Sequence, residues 1–170
     1  MLKGNWISKT LYFSILMLLS FCSSMAQPAL PQRSNFVRAI QPIHFGSFCV
    51  IGGGGGTVTV GFDGSRSATG NIILLNVPPI AQPAIFEIKF CHNTNVCFNF
   101  LTPSILLTGS QGIIPLVVGP TDKGPDGACF KISNNCDIIT PLRVGGTLTV
   151  SGSSSPGIYI GQFTINFIPQ

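Results

Sequence analysis

Charge is what this chain has least of. Asp, Glu, Lys and Arg make up 8% of its 170 residues, where about a quarter is usual. Nine basic residues stand against five acids and two histidines. No basic cluster exists, which removes the footprint of a nucleic-acid binder. The five acids are scattered, a thin pool for the paired carboxylates of glycoside chemistry. No Gly-x-Ser-x-Gly elbow occurs, and serines gather in turns such as Ser151–Pro156, so the usual hydrolase nucleophile is missing. The one tryptophan, Trp6, lies in the N-terminal stretch, which leaves core aromatics to the 13 phenylalanines. Helical periodicity is absent too, since no window of helical length repeats apolar residues every 3.6 positions. These absences predict a non-catalytic protein with no cofactor and no metal.

An export signal is present. Lys3 and Lys9 form a positive opening, Leu11 to Phe21 an apolar stretch, and Ser24 and Ala26 the small residues before a cleavage point between Ala26 and Gln27. The stretch is short for a bilayer span, so residues 1–26 read as a signal peptide and the mature chain as lacking a transmembrane segment. Cys22 offers lipid attachment as an alternative, but bulky Phe21 stands where a small residue is required, and Cys22 is assigned to the discarded signal. Residues 27–35, with Pro and Gln and no periodicity, read as an exposed leader. Residues 36–170 have the length of one domain.

Two near-identical phrases organise that domain, Gly55-Gly-Thr-Val-Thr-Val60 and Gly145-Gly-Thr-Leu-Thr-Val150. Each is a glycine turn opening into an alternating β-branched strand. The candidate strands are Phe36–Ile40, Ile43–Val50, Thr57–Phe62, Asn71–Asn76, Ala84–Phe90, Val96–Phe100, Ile105–Thr108, Ile113–Val118, Cys129–Ile132 and Leu142–Val150. Ala84–Phe90 and Val96–Phe100 read as a hairpin. The run Ile158–Phe167 alternates longest, with Tyr159, Gly161, Phe163, Ile165 and Phe167 on one face and Gln162, Thr164 and Asn166 on the other. Short strands separated by Gly and Pro turns predict an all-β antiparallel sandwich.

Exported cysteines are expected to pair. Cys91 and Cys97 bracket one polar tip, and Cys129 and Cys136 another, so local staples Cys91–Cys97 and Cys129–Cys136 are the simplest assignment, with Cys49 unpaired. Counting alone equally permits pairings between more distant strands. His92, between Cys91 and Cys97, is the only local metal-like cluster, and disulfide bonding would consume its thiolates. Gly52–Gly56 is followed by a strand and lacks the Lys-Ser/Thr of a phosphate loop. Asp122 and Asp126 lack the spacing of a calcium loop. His44 and Cys49 fall on opposite strand faces and have no orienting acid nearby.

Taken as a set, Phe45-Gly46-Ser47-Phe48, Gly55-Thr-Val-Thr-Val60, Gly64-Ser-Arg66 with Gly70, Ala84-Ile-Phe86-Glu-Ile88, Gly145–Val150 and Gly157–Ile165 resemble a bacterial family of exported proteins called domain of unknown function 4402, often likened to fimbrial subunits. The resemblance covers residues 36–168. It implies an immunoglobulin-like sandwich at the cell envelope and no catalytic residues to transfer. The cysteine-bracketed inserts lie outside the family's pattern. The expected function is a structural or adhesive envelope subunit of fimbrial type, in the periplasm, on the outer surface or outside the cell, with partners that are copies of itself or other envelope proteins. The alternative is a monomeric binding module that holds a glycan or protein with its cysteine-bracketed loops.

Overall fold

Alternating apolar segments broken by Gly and Pro hide their methyl groups by pairing into sheets whose apolar faces meet. The computed structural model describes residues 35–91, 95–132 and 138–170, all inside a compact unit bounded by Arg33 and Gln170. The signal peptide, the Ala26/Gln27 cleavage point, Cys22, most of the leader, His92 and Cys136 lie outside the described residues.

Among the described residues there are thirteen strands and no helix, hence none long and apolar enough to cross a membrane. The first six are β1 (Phe36–Gln41), β2 (Phe48–Val50), β3 (Gly56–Val60), β4 (Arg66–Gly70), β5 (Ile72–Leu74) and β6 (Ala84–Lys89). Then come β7 (Asn95–Phe100), β8 (Ser104–Gly109), β9 (Gly112–Thr121), β10 (Cys129–Lys131), β11 (Thr140–Val150), β12 (Tyr159–Ile160) and β13 (Ile165–Pro169). The large sheet runs β1-β6-β11-β9-β8-β12, with β3 also on β11 and β4 beyond β3. Two smaller sheets are β10-β7-β13 and β2-β5. Every pairing is antiparallel.

Strand β11 is the spine. Thr140–Val144 pair with β6, Gly146–Val150 pair with β3, and β9 takes the opposite edge. The two near-identical phrases are therefore partners. Thr147 sits opposite Thr59 and Leu148 opposite Val58. The match extends to the glycines: a side chain on Gly55 would strike the carbonyl of Val150, and one on Gly145 the carbonyl of Val60. Each phrase needs its glycine where the other phrase ends.

The inward faces meet in one core. Val58, Val60, Ile88, Leu116, Leu142 and Val144 of the large sheet join Val96 and Phe98 of β7 in a single buried cluster. An aromatic chain crosses the layers: Phe86 of β6 meets Phe163 at 6.0 Å between ring centres, Phe163 meets Phe100, Phe100 meets Phe98, and Phe98 meets Phe130. This is an all-β sandwich, as the alternation predicted.

Three local expectations are corrected. Strands β6 and β7 do not form a hairpin, because β6 pairs with β1 and β11 in the large sheet while β7 pairs with β10 and β13 in the other layer. The run 158–167 is not one strand. Its start, β12, pairs with β8, and its end, β13, pairs with β7. Gly161 marks the crossing, where a Cβ would collide with Leu107. The facing holds nonetheless, since Tyr159, Phe163, Ile165 and Phe167 all pack on the core. Finally, β4 lies where no strand was expected, its polar residues held by pairing with β3.

Candidate functional site

Among the described residues a disulfide joins Cys97 to Cys129, 32 residues apart, and corrects the local staples Cys91–Cys97 and Cys129–Cys136. Register explains it: β10 lies antiparallel on β7 with Cys129 directly opposite Cys97, at a Cα separation of 3.9 Å. Side chains directly opposite on neighbouring strands are closer than residues across a loop tip. The Cys91 backbone N–H donates to Asn35 Oδ1 at 2.9 Å. Cys49 sits half-buried in β2 opposite Ile73 as a free thiol. His44 is a turn residue, its Nδ1 accepting from the Gly46 N–H at 2.9 Å and its backbone bridging Gln82.

Residues that carry the family resemblance build a latch around Arg66. Its Nη2 donates to the Ser47 carbonyl at 2.7 Å and its Nη1 to that of Leu75 at 3.2 Å, while its Nε is buried without a partner. Burial pushes this guanidinium below its ordinary pKa. Gly46 passes beneath it at φ +70°, where a Cβ would meet Arg66 Cζ at 3.0 Å. The spacing of Phe45-Gly-Ser and Gly64-Ser-Arg thus encodes a tie between β4 and the β2–β5 sheet, rather than chemistry.

The described acids are similarly engaged. Asp122 accepts from the Arg143 N–H at 2.8 Å, and Asp126 accepts from the Phe100 N–H at 2.8 Å. The first reaches the large sheet and the second reaches β7, so the segment between them clips the layers together. Asp63 accepts from Ser65 Oγ at 2.6 Å and Ser65 N at 3.0 Å. Those two bonds favour the carboxylate and lower its pKa from the ordinary value. Glu87 pairs with Arg38 at 2.6 Å. Among the described residues no three His, Cys, Asp or Glu side chains gather around one point.

One shallow cleft of about 420 Å³ lies between Gln41, Phe62, Asp63, Ile85, Asp122 and Arg143. Arg143 and Ile85 are opposite each other across β11 and β6, and the Arg143 guanidinium approaches Asp122 only to 3.9 Å. Its donors remain available over an apolar floor. Lys123 Nζ also lies 3.5 Å from Asp122 Oδ2, so a polar ligand with acceptor oxygens fits the arrangement at Arg143.

The outer face of the other end of the large sheet is uncharged. Ile160 of β12, Leu106 of β8, and Ile113 and Val117 of β9 point outward, 73%, 57%, 58% and 50% exposed. Val117 is opposite Thr147, Thr147 opposite Thr59, and Thr59 opposite Ser67, so the aliphatic half runs into a hydroxyl half. The hydroxyls satisfy one another: Thr57 meets Thr69 at 2.7 Å and Thr59 meets Thr147 at 3.0 Å. Sequence reading passed over this face, although the outward threonines of each Thr-x-Thr phrase were its signal.

Against known proteins, a family model described as a domain of unknown function, DUF4402, matches residues 37–168. No curated protein and no solved structure matches the chain.

Proposed function

The chain belongs to the DUF4402 family, and from that premise we propose that it is a non-catalytic, exported structural or adhesive subunit of the bacterial envelope, of fimbrial type, that assembles by strand addition. The observation that carries this reading is the placement of β1. It is an edge strand of the large sheet, and none of its six residues belongs to the core. It is held by its ladder to β6 and by the exposed Arg38–Glu87 pair. Such a strand leaves its own β6 without opening a cavity, and the same residues pair equally well with β6 of a neighbour. Sparse charge over the whole chain lowers the repulsion between copies.

Deleting residues 27–40 tests it. The full chain is expected to form polymers visible by light scattering and electron microscopy, and the deleted chain to stay monomeric with its β-sheet circular dichroism retained. Unchanged polymers after the deletion overturn the reading.

The cleft beside Arg143 favours a second reading, a monomeric module that binds a glycan or protein. A strictly monomeric chain whose ligand is lost on Arg143→Ala supports it over the first.

A further inference from the structure

We infer that the uncharged outer face of β12-β8-β9-β11-β3-β4 is a docking surface for a second copy of this chain, laid face to face. The inference deepens the subunit reading and rests on it for the identity of the partner. Strands β3, β8, β9 and β12 contain no charged residue. Arg143 lies at the far end of β11, opposite β6, and Arg66 of β4 turns to Ser47 and Leu75 on the other side of the sheet. A chain dominated by sparse positive charge therefore keeps one broad face free of it.

Three features select the occupant. An isologous contact uses the same patch on both copies, so a charge near its two-fold axis would meet its like; this face carries none. Four of its threonine hydroxyls already bond in pairs, Thr57 with Thr69 and Thr59 with Thr147. These four have less need of donors from a partner, which disfavours a polyhydroxylated glycan and suits another sheet. The exposed large side chains on the face are the aliphatic Leu106, Ile113, Val117 and Ile160, which interdigitate when sheets stack about 10 Å apart. The one aromatic at this end, Tyr159, packs on the core and donates its hydroxyl to the Ser155 carbonyl.

Size sets the strength. Six strands about 4.8 Å apart and about five residues long give a projected area on the order of 400 Å² per copy. Two copies hide roughly twice that, below the 1,200–2,000 Å² of self-sufficient interfaces. The contact is weak between isolated chains and becomes effective when an assembled polymer repeats it. Strand addition builds the filament, and this face joins filaments side by side.

The test uses the full chain and the variants Ile113→Lys and Ile113→Glu, each at an exposed position that leaves the core intact. Light scattering and electron microscopy are expected to show wild-type filaments bundling reversibly as concentration rises from micromolar to millimolar. Each variant alone should weaken that association about tenfold or more through like-charge contact, and an equimolar mixture of the two should restore it. Leu106→Lys serves as the second position should Ile113 variants fold poorly. A wild type that stays monomeric throughout, or an association indifferent to these variants, overturns the inference. A monomer that binds microcrystalline cellulose or chitin, and loses that binding on Ile113→Lys, also overturns it and assigns the face to an uncharged polysaccharide. Filaments that vanish on deleting residues 27–40 but never bundle leave the subunit reading standing and this inference refuted. Bundling by filaments that the deletion leaves unchanged does the reverse.

Discussion

Asp63 is fully exposed, yet Ser65 holds it through both a hydroxyl and a backbone N–H. These bonds lower its pKa in the folded chain, so the folded state binds fewer protons there than the unfolded state does. The stabilisation is present above the ordinary carboxylate range and is lost as pH falls through the lowered value. Carbon NMR titration of the Asp63 carboxyl should find it ionising below the usual range, and Ser65→Ala should move it upward. A value unmoved by Ser65→Ala would locate the cause elsewhere. Arg66 shows the opposite economy of residues. A guanidinium held by carbonyls with no acid beside it is poorly signalled in a sequence, because its partners are backbone atoms of Ser47 and Leu75 and carry no residue identity. The Phe45-Gly-Ser and Gly64-Ser-Arg phrases were legible as family marks, but that they meet each other was not.

Elements were legible by alternation and illegible by partnership. The strands Phe36–Gln41, Ala84–Lys89, Asn95–Phe100 and Thr140–Val150 lie close to their expected positions, since period-two patterning is local. Pairing is long-range, which is why β6 and β7 were read as a hairpin across a short polar tip and prove to belong to different layers. The cysteine map failed for the same reason: Cys97 finds Cys129 through register, and register was not on view. Closing a loop of 32 residues restricts the unfolded chain and contributes about 3–4 kcal/mol on the loop-entropy account. The double variant Cys97→Ala/Cys129→Ala should therefore melt on the order of 10 °C lower by calorimetry. A melting point shifted by only a degree or two would show that the bond adds nothing the β7–β10 ladder lacks.

On the scale of the whole molecule, the sandwich depends on one core filled by side chains from both layers. Phe98 is fully buried and touches Phe100 and Phe130 within the aromatic chain that begins at Phe86. Phe98→Ala should cost about 3–5 kcal/mol, a large share of the 5–15 kcal/mol that holds a typical domain. Denaturant unfolding reads it, and a loss below about 1 kcal/mol would mean the layers repack around the gap. Spine strand β11 carries a different consequence, one of timing. Strands β3, β6 and β9 are all synthesised before it, and each waits for the same late partner. At about 5–20 residues per second, Gly55–Val60 emerges on the order of ten seconds before the phrase it pairs with. The order in which the chain is made thus sets when it can fold: β1–β6, β3–β4 and β8–β9 can pair early, but the sheet that joins them stays open until its late central strand arrives.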